Sequence, residues 1–224
     1  MIAKQSGLME IPEALSSIAA APLLCAGLTT FAALRKSPAK AGDLVGVLGI
    51  GGLGHLGVQY ARHMGFEVAA IGRGSDKLDL AKKLGAHHYI DSTVADPAVA
   101  LQTLGGAAVI LATASGGKAV AQTIGGLKPR GRIMLVGASS DPIELSTTSM
   151  LFASPGGEGT LTGAGRSIEG SMTGDPATGD ETLKFSLLSG VQAMVETVPL
   201  ERAAEGYARM MSGKARFRVV LTMQ

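Results

Sequence analysis

The residues with the clearest chemical potential form one short run. Gly49-Ile50-Gly51-Gly52-Leu53-Gly54 places glycines at its first, third and sixth positions, directly after the apolar run Leu44–Leu48 and at the opening of a helical stretch near Leu53. In that setting Gly49 permits a tight turn, Gly51 lets the backbone approach a pyrophosphate, and Gly54 lets helix and strand pack closely. The exposed N–H groups around Gly52 and Leu53 and the positive helix end then hold phosphates. The bare pattern is weak in a chain with 32 glycines among 224 residues; its place between strand and helix strengthens it. The competing readings are a purely structural turn and an S-adenosylmethionine site, whose ligand has no pyrophosphate.

A site for NAD wants a carboxylate at the end of the second strand, about 20 residues further on, to bind the ribose hydroxyls. Here residues 67–71 lead into Gly72-Arg73-Gly74-Ser75-Asp76-Lys77, with no acid at the strand end. Gly72 removes the repulsive carboxylate, and Arg73, helped by Ser75 or Lys77, can bind a 2′-phosphate through charge-assisted bonds of roughly 1.5–3 kcal/mol each. The spacing favours NADP over NAD. The plainer alternative makes Arg73 a solvated loop residue and Asp76 the cap of the next helix.

These residues need a scaffold, and the pattern from residue 43 onward supplies it. Strand-like runs at 44–48, 67–71, 88–90, 108–112 and 132–136 alternate with helical stretches at 55–64, 76–84, 97–104 and 118–127. Such alternation predicts an α/β fold, a Rossmann-type doubly wound parallel sheet with helices on both faces. Gly65, Gly85, Gly105 and Gly131 fall where helices should end in a left-handed cap. Residues 153–165 are rich in glycine and read as a loop or linker, and Glu158–Gly163 is echoed eleven residues later as Glu169–Gly174. Beyond it the pattern gives a helix at 180–189, a strand at 194–198, a helix at 200–212 and a final strand at 216–221.

Composition excludes several functions. Twenty basic and eighteen acidic side chains give a net charge of +2, too little for non-specific nucleic-acid binding. The apolar stretch 18–34 contains Pro22 and is expected to be a buried loop and helix rather than a membrane span. Residues 1–15 carry Lys4, Glu10 and Glu13 and do not read as a secretory signal. Cys25 is the one cysteine, which excludes an internal disulfide framework and suits a reducing, cytoplasmic setting. A lone cysteine is by default a small buried hydrophobe.

Taken together, the segment 21–30 (APLLCAGLTT), the turn Gly49–Gly54 running into His55-Leu-Gly-Val-Gln59, Asp76-Lys77 with Lys83-Leu-Gly-Ala86, the strand 109–113, the segment 131–137 and the terminal strand 216–221 resemble the cofactor half of a zinc-type medium-chain alcohol dehydrogenase. The resemblance implies hydride transfer between NADP(H) and an alcohol/aldehyde pair. It makes Cys25 a ligand of a catalytic zinc and puts Thr29 near the nicotinamide. Thr113, the backbone around Val136 and Gly137, and that around Gly170 and Met172 would contact the cofactor, and Arg218 would reach it from the last strand. It further implies that residues 1–25 and 172–224 belong to a catalytic domain, while 26–171 form the dinucleotide-binding domain with 153–165 inserted. An edge strand at 166–171 would pair across a homodimer.

The chain departs from that pattern in its metal ligands. A catalytic zinc takes three protein ligands and an open position. One cysteine cannot supply them, and His55, His63, His87 and His88 lie at positions unsuited to replace them, so zinc binding by this chain is not expected. The alternative is therefore a catalytically inactive NADP(H)-binding module. A zinc-independent quinone reductase of the same superfamily is a third reading, disfavoured by the sequence around Cys25.

Overall fold

Runs of valine, alanine, isoleucine and leucine without polar alternation belong in strands covered on both faces. That is where they are in this computed structural model, which describes residues 4–152 and 164–223. Strands β1 (Leu44–Leu48) and β4 (Ala107–Ala112) are buried along their whole length. They sit at the centre of a six-stranded sheet with β2 (Glu67–Gly72), β3 (His88–Asp91), β5 (Leu127–Leu135) and β6 (Ser167–Gly170). The order is β3-β2-β1-β4-β5-β6 and every pairing is parallel. The chain reverses direction across the sheet between β1 and β4, so ligands are expected at the carboxyl ends of these two strands.

Helices cover both faces. Tyr60, Leu56, Leu34 and Phe31 fill one side of the sheet and Leu101, Ile110, Leu127 and Ile133 the other. The helices are α1 (Ser17–Pro22), α2 (Leu28–Lys36), α3 (Gly54–His63), α4 (Leu78–Lys83), α5 (Pro97–Thr103), α6 (Gly117–Ala121), α7 (Thr147–Leu151), α8 (Pro176–Ser189) and α9 (Ala203–Met211). Local chemistry sets their ends. Asp96 accepts from the N–H groups of Ala98 and Val99, with Pro97 in the first turn of α5, and Asp175 caps α8 through Thr178 with Pro176 beside it. A second, two-stranded parallel sheet of β7 (Val195–Pro199) and β8 (Arg218–Thr222), with α9 crossing between them, packs against α1.

Several sequence expectations shift. The stretch 18–34 contains no loop: helix runs unbroken from Ser17 to Lys36, with Pro22 inside it and a π-helical turn at Leu23–Gly27, where the Leu28 N–H reaches back to the Leu23 carbonyl. This run is long and apolar enough to cross a membrane by length and composition, yet 67 % of its most apolar window is buried inside the protein. The stretch 118–127 is a short α6 followed by a 3-10 turn at Ile124–Gly126, because Leu127 already belongs to β5. Gly65, Gly85 and Gly105 do take positive φ, but Gly131 does not cap a helix; it lies inside β5, where a Cβ would meet the Ala107 carbonyl at 2.8 Å. The positive φ falls on Arg130 instead. Of the segment 153–165, only Ala164 and Gly165 lie within the described residues, so the loop expectation and the first copy of the echoed motif fall outside them.

Candidate functional site

The glycine turn leaves β1 at Leu48 and enters α3 at Gly54. Gly49 takes φ +90 and donates its N–H to the Ile71 carbonyl at 2.8 Å, which ties the turn to β2. A Cβ on Gly54 would lie 1.8 Å from the Gly49 carbonyl oxygen, so only glycine closes the turn. Gly51 differs in kind: a Cβ there would meet nothing within 4 Å, and the space in front of it is open. Among the described residues, the N–H groups of Gly51, Gly52 and Leu53 have no protein acceptor. Unpaired donors, open space and the start of a ten-residue helix together make a cradle for an anion. Thr113, just past β4, shares its hydroxyl proton between the carbonyls of Leu48 and Gly49, both at 2.8 Å, and so buttresses the turn from below.

On the β2 side of the turn lies a cavity of about 610 Å³. Gly49, Gly72, Arg73, Asp76, Lys77 and Lys118 are among its walls. The structure therefore brings Arg73 and Lys77 to the same opening as the glycine turn. Asp76 does not cap α4, whose first turn receives no side-chain cap; it faces this cavity instead. A Cβ on Gly72 would sit 2.3 Å from the Tyr89 hydroxyl, which itself donates to the Gly74 carbonyl at 2.7 Å. Tyr89 thus fills the place into which a side chain at position 72 would grow.

On the β5–β6 side a second cavity, of about 450 Å³, is lined by Thr29, Val136, Gly137, Gly170 and Met172 among others. These five positions, implied by the family resemblance, come from α2 and from the ends of β5 and β6 and converge on one opening. Gly137 is sterically required, since its Cβ would come within 2.6 Å of the Ala114 carbonyl.

Arg218 and His55 join the turn to the second sheet. Arg218 Nε donates to the Gly52 carbonyl at 3.0 Å, and burial holds its guanidinium below the usual range, partly offset by the neighbouring Cys25. His55 is fully buried; its Nδ1 lies 2.9 Å from the Gly51 carbonyl and its Nε2 accepts from the Met194 N–H at 3.1 Å. These partners specify a neutral imidazole protonated at Nδ1. Burial pushes its pKa down to about 4, the charge on Arg218 adding to that and the Gly51 carbonyl opposing it.

Comparison with known proteins agrees with this fold. The family model described as "Zinc-binding dehydrogenase" matches residues 52–188. The chain belongs to this family. Among curated relatives, "Alcohol dehydrogenase patD" of Penicillium expansum is 38% identical over 222 residues, covering 99% of this chain and 62% of that protein. An alcohol dehydrogenase of Geobacillus stearothermophilus is 35% identical over 216 residues, covering 96% of this chain and 60% of that protein. Among solved structures, a cinnamyl alcohol dehydrogenase of Sorghum bicolor matches with a TM-score of 0.82 at 30% identity, over 97% of this chain and 58% of that one. The structure of CAD from Helicobacter pylori, complexed with NADP(H), matches with a TM-score of 0.77 at 27% identity, over 95% of this chain and 57% of that one. The chain thus spans about three fifths of the length of these relatives.

The zinc that gives the dehydrogenase family its name does not fit the residues present. Cys25 is exposed on the π-helical turn, contrary to the buried default for a lone cysteine, but it stands alone. Among the described residues no three His, Cys, Asp or Glu side chains gather to hold a metal ion. His87 hydrogen-bonds Arg62 and the Val68 N–H, and His88 pairs with Glu67, so both are engaged elsewhere. Sequence reasoning misses Tyr89, Lys118 and the bridging role of His55. Lys118 carries a signal, a basic residue two positions past the Gly116 that follows the fourth strand. Tyr89 carries none, since its reach to Gly72 depends on the register between β2 and β3.

Proposed function

We propose that this chain is the NADP(H)-binding part of a zinc-type alcohol dehydrogenase, an oxidoreductase acting on a small alcohol/aldehyde pair. The observation that carries the cofactor choice is Gly72 backed by the Tyr89 hydroxyl, with Arg73 and Lys77 at the same opening. A carboxylate side chain at position 72 would clash there, whereas a 2′-phosphate would meet Arg73 and Lys77, in a wall whose cations, Lys118 included, outnumber the one carboxylate, Asp76. The Helicobacter pylori relative, whose structure is a complex with NADP(H), supports the same choice.

In this reading the N–H groups of Gly52 and Leu53 bind the pyrophosphate, and Arg218 adds charge beside them. Thr29, Val136, Gly137, Gly170 and Met172 form the pocket that orients the far ring and keeps water from it. A nicotinamide bound there supplies the hydride donor or acceptor. Residues 26–171 are the dinucleotide-binding domain, and 1–25 and 172–224 are the portions that return to a catalytic domain. The edge strand β6 offers its free side to a second copy.

Calorimetric titration with NADPH and NADH at one ionic strength tests this. NADPH should bind at least about tenfold tighter, roughly 1.4 kcal/mol, and Arg73→Ala should erase the gap. Binding of neither cofactor would overturn the reading.

The solitary position of Cys25 favours a second reading, a module that binds NADP(H) and catalyses nothing. Turnover of a primary alcohol by this chain would exclude it.

A further inference from the structure

His55 is buried, polar and placed at the seam between the glycine turn and the second sheet, yet binding of the cofactor as described above does not use it. Its partners form a closed ring. Nδ1 donates to the Gly51 carbonyl, which also accepts the His55 backbone N–H at 3.0 Å, and Nε2 accepts from the Met194 N–H. The Met194 carbonyl in turn accepts from the Arg218 N–H at 3.0 Å, and Arg218 Nε closes the ring on the Gly52 carbonyl. The Phe217 ring lies against the imidazole, with centroids 4.9 Å apart.

In a trans peptide the carbonyl and the following N–H point in opposite directions. Holding the Gly51 carbonyl on His55 and the Gly52 carbonyl on Arg218 therefore turns the N–H groups of Gly52 and Leu53 the other way, into the cradle. The same ring sets where the Arg218 guanidinium sits on the turn. We infer that His55 is a positioning residue: its imidazole bolts Met194, at the head of β7, to the glycine turn, and through the Met194 carbonyl it fixes the start of β8, so that Arg218 and the N–H groups of Gly52 and Leu53 stand as one prearranged pyrophosphate site. The inference rests on the dinucleotide reading above. It assigns to His55 neither metal binding nor proton transfer.

The test compares two ligands on the full chain by calorimetry: NADPH, and adenosine 2′-monophosphate, which carries the 2′-phosphate but no pyrophosphate. His55→Leu removes both side-chain bonds. His55→Asn is too short to reach the Met194 N–H, while His55→Gln places its carbonyl oxygen near the Nε2 position and can accept from it. His55→Leu and His55→Asn should each weaken NADPH about tenfold, the loss expected when one charge-assisted bond to phosphate is misaligned, and leave adenosine 2′-monophosphate unchanged. His55→Gln should restore most of the NADPH affinity. A residue that only fills space would treat Asn and Gln alike. NADPH affinity unchanged in the Leu and Asn variants, or lost together with adenosine 2′-monophosphate, overturns the positioning role. Wild-type binding of adenosine 2′-monophosphate without NADPH overturns it too while sparing the 2′-phosphate pocket. Wild-type binding of neither sinks the cofactor reading and this inference with it.

Discussion

The cavity beside β2 has ionisable side chains in its wall, Arg73, Asp76, Lys77 and Lys118, whereas the cavity beside Thr29 is walled by residues 135–138 and 170–173 and has no ionisable side chain among its lining residues. The first can recognise charge, the second shape and neutral hydrogen-bonding groups through Thr29, Ser171 and Thr173. Charge recognition sits on a few exposed side chains that a single substitution removes, and it is screened by salt. Shape recognition is distributed over strand ends fixed by the whole sheet, and there Gly137 has no room for a methyl group while Gly170 does.

The largest effect should come from glycines with no room for a methyl group, in the turn and in the second cavity alike. Gly54→Ala puts a methyl group 1.8 Å from a carbonyl oxygen and Gly137→Ala puts one at 2.6 Å, so each should lower stability by about 3 kcal/mol or more, read from the urea midpoint. Gly51→Ala has open space and should keep stability within about 0.5 kcal/mol while weakening NADPH binding. If Gly51→Ala unfolds the protein as Gly54→Ala does, the turn is a packing device throughout and not a cradle.

The seam between the glycine turn and the second sheet gives the next effect, through pH. The pKa of His55 is about 4 in the fold against 6.5 when free, so between those values the unfolded chain binds more protons than the native one. Stability from His55 is therefore complete above about pH 6.5 and is lost as pH falls toward 4, by up to about 3 kcal/mol. His87 is also held low by burial, and it contributes in the same direction. Urea midpoints at several pH values should show this slope in the wild type and a flatter one in His55→Gln. Equal slopes would mean that the imidazole is not held neutral by its surroundings.

Arg73→Ala should come third, weakening NADPH by about 1.5–3 kcal/mol with NADH unmoved, because one charge-assisted bond to the 2′-phosphate is removed. Thr29→Val, in the other cavity, should change both cofactors alike. Equal losses for NADPH and NADH in Arg73→Ala would place that side chain on a group common to both and erase the contrast between the cavities.

How much of this can be read from the sequence follows the same division. The turn is legible because glycines are demanded locally, by one peptide's collision with another a few residues away. The sheet is legible because β1 and β4, buried on both faces, leave uninterrupted apolar runs. Convergence of Thr29, Val136, Gly137, Gly170 and Met172 on one cavity rests on family resemblance, since no local pattern links residues so far apart in the chain. What stays hidden is set by register and by contacts between sheets. Tyr89 pairs with Ala70 across β2 and β3, a register from which its ring reaches forward to Gly72, and His55 finds Met194 only once the second sheet is in place. The stretch 118–127 reads as one helix but is not, for a related reason: the Gly125-Gly126 turn lets the chain pass close over α5, where a Cβ on Gly126 would lie 2.6 Å from the Leu101 side chain.

Tyr89 supplies the smallest and most discriminating test of the charged cavity. The atom that a side chain at position 72 would strike is the phenolic oxygen, with the ring carbon behind it at 3.0 Å. Gly72→Ala should therefore cost about 1 kcal/mol in the wild type and less in a Tyr89→Phe background, a coupling readable in a double-mutant cycle of urea midpoints. Tyr89→Phe by itself also removes the hydrogen bond to the Gly74 carbonyl, so the cycle, and not the single variant, isolates the clash. A positive coupling means that the fold itself keeps position 72 free of a side chain, and that the preference for a 2′-phosphate is built from β3 as well as from Arg73. No coupling would mean that the loop yields easily, and that the cofactor choice rests on the cations alone.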